Sequence, residues 1–124
     1  MATTKVLLNG TRNYVVQITG TGGDSAVNIF DVATVTPECA EVRIQKCYYD
    51  VAGSDGRVTL LWEATANTTA LTISTGSGQT LDFHDVGGLV NNAGAGKTGD
   101  LLLTSTATTP YTVTLWLKKV RTVS

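Results

Sequence analysis

Apolar and polar residues alternate with a period of two along most of this chain, the mark of strands that bury one face. Arg12–Thr19 sets Tyr14, Val16 and Ile18 against Val15, Gln17 and Thr19. Ala26–Val35 is a second extended run, with Phe30 and Val32 on one face. Thr36-Pro37-Glu38 carries a helix-start signal, a Thr cap followed by Pro and an acid, which allows one helical turn at most before strand character returns over Val42–Tyr49. Ser54-Asp55-Gly56 reads as an Asp-Gly hairpin turn into Arg57–Ala64, where Val58, Leu60, Trp62 and Ala64 share a face. Thr69–Thr75 places Leu71 and Ile73 together, and Gly76-Ser77-Gly78 reads as the next turn. Gln79–Asp85 and Gly99–Thr106 flank a long loop, and Tyr111–Lys118 alternates most cleanly of all.

This pattern predicts about eight or nine short strands, with a turn signal roughly every ten residues and no long helix. The expected fold is all-β: one antiparallel β-sandwich domain of jelly-roll type over residues 1–124, with residues 1–10 as a candidate N-terminal arm. Val58, Leu60, Trp62, Val113, Leu115 and Leu117 are expected in one core.

Composition narrows the classes of function. Charged residues make up 15% of the chain, against roughly 25% in an average globular protein. Thr is the commonest residue, with Gly, Val, Leu and Ala behind it. Thr and Val are β-branched and suit a pleated sheet. A net charge of −1 with scattered basic residues does not suit nucleic-acid binding. Only Lys118, Lys119 and Arg121 cluster, as the solvated end of a strand. No run approaches the length of a transmembrane helix, so no membrane partner is expected. Met1–Gly10 lacks the apolar core of a signal peptide, so the product is expected to stay in the cytosol where it is made.

The loop Gly87-Gly88-Leu89-Val90-Asn91-Asn92-Ala93-Gly94-Ala95-Gly96-Lys97-Thr98-Gly99-Asp100 imitates a phosphate-binding loop. Such a loop needs Gly, four residues and then Gly-Lys-Thr, leading into a helix. Gly96-Lys97-Thr98 supplies the second half, but Asn91 stands where the first glycine belongs, and a β-rich run follows. No helix N-terminus waits there for a phosphate, so no nucleotide and no cofactor is expected.

Other chemistry is thin. His84 lies two residues from Asp82, but two ligands do not make a metal site. The single His leaves one candidate base for a triad, and no Gly-x-Ser-x-Gly elbow occurs. Asp50 and Asp55 flank a turn without the regular oxygen ligands of a calcium loop. Cys39 and Cys47 on one strand would lie roughly 26 Å apart, beyond disulfide reach, and are expected to be reduced. Trp62 belongs with Val58 and Leu60 in the core, whereas Trp116 shares its face with Thr112, Thr114 and Lys118 and is a candidate contact residue.

Four blocks resemble small β-rich virion proteins of tailed bacteriophages, of the marine and cyanobacterial phage type. They are Ile44–Tyr49 ending in Tyr-Tyr, Val58–Ala64 with its central Trp, Asn91–Asp100, and Tyr111–Lys119. The resemblance covers roughly residues 42–120. It implies a non-enzymatic structural protein of a phage particle, assembled in the host bacterial cytoplasm. The role it most suggests is a capsid decoration (cement) protein that binds the outer shell and bridges neighbouring subunits. Its partners would be the major capsid protein and copies of itself, with no catalytic, metal or cofactor residues to carry over. A tail, neck or fibre component, or a secreted β-sandwich carbohydrate-binding module, are the alternatives. The long loop Val86–Gly99 is nearly uncharged and built from Gly, Asn and Ala, and loops of this length in a compact domain are usually functional or disordered. Asn91, Asn92, Gly94, Gly96, Lys97 and Trp116 are therefore the candidate protein-contact residues, with the Thr3–Asn9 arm beside them.

Overall fold

A computed structural model describes residues 2–36, 38–53, 56–106 and 110–120. Nine strands are formed among them: β1 (Thr3–Asn9), β2 (Asn13–Gly20), β3 (Val27–Phe30), β4 (Glu41–Val51), β5 (Arg57–Trp62), β6 (Thr68–Ser74), β7 (Gly76–Asp82), β8 (Leu101–Ser105) and β9 (Tyr111–Val120). They make two antiparallel sheets. One has the order β1-β2-β9-β4-β7 and the other β3-β8-β5-β6. Apart from β1 to β2 and β5 to β6, each successive strand changes sheet, and the two interleaved four-strand orders are those of a jelly roll.

The alternation explains the packing. On β9 the odd positions Tyr111, Val113, Leu115 and Leu117 are buried, and Val16 and Ile18 of β2 join them from the neighbouring strand. Val58, Leu60 and Trp62 of β5 and Leu101 and Leu103 of β8 close the core from the other sheet. All six expected core residues lie in this one cluster.

Several local signals give way to this arrangement. The expected hairpin at Ser54-Asp55-Gly56 is not one, because β4 and β5 lie in different sheets; Ser54 and Asp55 themselves lie outside the described residues. Both strands carry one apolar face, and setting them opposite each other buries both. Gly76-Ser77-Gly78 is not a turn but the start of β7, with Gly76 paired to Val51. The chain changes sheet at Thr75, whose hydroxyl donates to Gly53 O at 2.9 Å. The run Ala26–Val35 shortens to β3, because Asp31 caps a turn through Ala33 N–H at 2.9 Å. Gln79–Asp85 ends early, at Asp82, and a single 3₁₀ turn follows over His84–Val86. No helix starts at Thr36 or runs over Glu38–Ala40, and Pro37 lies outside the described residues. The N-terminal arm is a strand, paired to β2 with a bulge at Leu7.

Buried polar groups hold the two ends of the sandwich. At one end Asp24, 6% exposed, gathers three elements. Its carboxylate accepts from Tyr111 Oη at 2.6 Å, Ser105 Oγ at 3.0 Å and Ala2 N at 2.7 Å. Tyr111 opens β9 and Ser105 closes β8, so this one side chain ties both sheets and the start of β1. Burial pushes its carboxyl upward, but the hydrogen bonds outweigh that and hold it below the usual aspartate range.

Two outcomes follow from this packing. Leu115→Ala, at a fully buried site, is expected to cost about 2–5 kcal/mol in denaturant unfolding, and an unchanged midpoint would mean that the inward face of β9 has been misread. The Asp24 contribution is fully present above the ordinary aspartate pKa of about 3.9 and is lost as pH falls through the lowered folded value. Wild type should therefore lose more stability than Asp24→Asn on acidification below about pH 4, and parallel acid curves would remove Asp24 as the pin.

Candidate functional site

The glycine-rich loop is folded against its own domain. It leaves β7 at the edge of the five-stranded sheet and enters β8 in the other sheet, closing the end of the sandwich opposite Asp24. Leu89 pairs with Ile44, through Leu89 N to Ile44 O at 2.8 Å and Ile44 N to Leu89 O at 3.1 Å. This extends the edge of β4 where β7 has ended. Further on, Thr65 N donates to Ala95 O at 3.1 Å and Thr98 N to Glu63 O at 3.2 Å, so the loop also holds the segment after β5. Its glycines serve close approach. A Cβ on Gly99 (φ +91°) would run into Ala40 O, and one on Gly96 (φ +79°) into Thr65.

Lys97 has a structural use. Its ammonium lies 3.2 Å from the carboxylate of Glu41, a fully buried side chain at the first position of β4. It also donates to Asn91 O at 3.4 Å. Asn91 is 2% exposed, and its Oδ1 accepts from Ala93 N at 3.1 Å. Among the described residues its buried Nδ2 has no hydrogen-bond acceptor. Two of the candidate contact residues, Asn91 and Lys97, are therefore turned inward, whereas Asn92, Gly94 and Gly96 are exposed along the loop.

Trp116 is elsewhere, on the outer face of the five-stranded sheet. It is half-buried between its cross-strand neighbours Val15 of β2 and Lys46 of β4. The Lys46 ammonium sits 5.1 Å from the ring centroid, a cation–π contact. Leu8 of β1 is the next residue across, opposite Val15. A cleft of about 260 Å³ opens between Leu8, Val15 and Trp116 on one side and Gln45 and His84 on the other. The sequence pattern marks Trp116 as outward, but not its neighbours, because register alone decides which residues lie beside it.

The remaining candidates are satisfied locally. Asp82 accepts from His84 N at 2.9 Å, and its carboxylate lies 2.5 Å from the ring Nδ1, so the two side chains are engaged with each other beside the 3₁₀ turn. These hydrogen bonds, with the nearby Lys46 charge, hold the Asp82 carboxyl below its usual range. Both cysteines are free, and burial pushes the Cys47 thiol up to about 12. Asp100 has its carboxyl raised by burial and by the charges of Asp31 and Glu63, against the opposing hydrogen bonds from Val32 N and Asn28 Nδ2. Among the described residues, no three His, Cys, Asp or Glu side chains come together as a metal site. No protein-family model matches the chain, and no curated protein is found to be similar to it.

Lys97→Met would remove the Lys97 ammonium from buried Glu41, and breaking a buried pair from one side costs about 3–5 kcal/mol. Adding Glu41→Leu to it should recover part of that loss, because the buried carboxylate goes too. A double-mutant cycle by chemical denaturation checks this, and additive losses would mean that the pair is not coupled.

Proposed function

We propose that the protein is a non-enzymatic structural component of a phage particle, a capsid decoration protein that binds the outer shell and bridges neighbouring capsid subunits. The observation that carries this reading is β1. All seven of its residues are exposed, and Val6, Leu7 and Leu8 are 49%, 49% and 50% exposed. Three consecutive large apolar residues exposed on an ordered strand form the kind of surface that a partner covers. The strand is nevertheless held in place. Asn9 Nδ2 donates to Thr36 O at 2.7 Å, Lys119 Nζ donates to Asn9 Oδ1 at 2.7 Å, and Ala2 N is fixed on Asp24. A preorganised apolar edge costs little ordering entropy when it is covered.

A cement protein acts through buried area between rigid bodies. A jelly roll closed at both ends by buried polar clusters suits that work, and jelly rolls recur in viral capsid and lectin domains. Fold alone does not decide function, so the phage setting rests on the sequence resemblance.

The test is to image particles of the encoding phage by electron cryomicroscopy, and to add purified protein back to shells that lack it. Repeated density on the shell exterior and saturable rebinding are expected. Absence from the particle, or density confined to the tail, would overturn the capsid assignment.

A further inference from the structure

We propose that the outer face of the five-stranded sheet is the docking face, and that it takes an acidic protein surface with Trp116 as its anchor. This rests on the reading above of a protein that seats on a shell, and it names the face and the chemistry of the surface beneath.

Charge is distributed unevenly over the molecule. The register sends Lys5 of β1, Lys118 of β9, and Arg43 and Lys46 of β4 to this face, along with Asp50 of β4 and Asp82 of β7; Glu41 of β4 has the same register but is fully buried beside Lys97. Leaving aside the buried Glu41–Lys97 pair, four cations therefore stand against two carboxylates on one face of a chain whose net charge is −1. Asp82 is already engaged by His84. Arg12 lies beside Lys118, the two lining a neighbouring cleft of about 520 Å³. The other sheet has the opposite tendency at one end, where Asp31, Glu63 and Asp100 lie near one another.

The apolar part of the face sits inside this basic frame. Leu8, Val15 and Trp116 form a row across β1, β2 and β9, beside the cleft of about 260 Å³. Tyr48 is half-buried one row away, opposite Thr114. Trp, Tyr and Arg around a concave apolar centre are the residues that dominate protein interfaces. The edge of β1 is poorly suited to the alternative of adding a partner strand. Leu7 is the extra residue of a bulge and Lys5 precedes it, both devices that blunt backbone pairing. Recognition is then by side chains on the sheet face, and the basic frame steers an acidic surface onto it.

Shells lacking the protein serve as the probe, with binding followed by co-sedimentation at increasing NaCl. Trp116→Ala and the exposed Leu8→Ser should each weaken binding, the first by about tenfold or more. The double variant Lys46→Glu/Lys118→Glu should weaken it further and flatten its salt dependence. Thr72→Glu, on the exposed face of the other sheet, should bind as wild type does. Thermal melts of each variant separate lost docking from lost folding, and Leu8→Ser tests the face even if Trp116→Ala unfolds. Wild-type affinity in Leu8→Ser and in the charge reversal, or tighter binding by the latter, would overturn the proposal and leave the shell assignment standing. Failure of wild type to bind at all would overturn both.

Discussion

The long central strands β2, β4, β5 and β9 carry their apolar side chains mainly on one face, and such a strand is stable only when that face is covered. Every larger feature answers to this requirement. Leu115 and Leu117 on β9 need Leu60 and Trp62 on β5 across the core, and none of the four is more than 1% exposed. The chain meets the requirement by crossing from sheet to sheet at most of its connections, which is what produces the jelly-roll order. β9 then lies between β2 and β4, with a long ladder on each side. Its two ends mark the two ends of the sandwich.

Those ends are where polar groups enter the interior. Asp24 beside Tyr111 and Glu41 beside Val120 lie at opposite ends of β9. Both are buried carboxylates, and both are compensated, one by hydrogen bonds and the other by an ammonium. Each also holds a segment the core alone would leave loose. Asp24 fixes the start of β1, and Glu41 fixes the glycine-rich loop through Lys97. The loop is ordered by its own domain, and its similarity to a phosphate cradle ends with the lysine being spent on Glu41.

With Asn91 and Lys97 of the loop turned inward, the exposed side chains of the five-stranded sheet become the main candidates for contact. The extra strand β1 widens this sheet beyond its partner and leaves Val6, Leu7 and Leu8 uncovered. The same strand brings Leu8 beside Val15 and Trp116. A rigid body with one basic, aromatic-centred face is suited to sitting on another surface. That is the physical content of the decoration reading.

Much of the fold was legible in the chain. Period-two alternation needs only local sequence, so strands, their inward faces and the core residues from Val58 to Leu117 could be read directly. Trp62 could be placed inside and Trp116 outside on the same ground. Partnership could not be read. An Asp-Gly turn looks the same whether the strands it joins become neighbours or face each other across a core. Gly76-Ser77-Gly78 looks like a turn until Val51 is set beside it. Lys97 looks exposed because its partner Glu41 is distant in sequence. Local sequence determined which side of each strand is buried, since that depends on side-chain alternation. Only the tertiary structure decided which strands meet, which charges pair and which residues surround Trp116, because those depend on register between segments far apart in the chain.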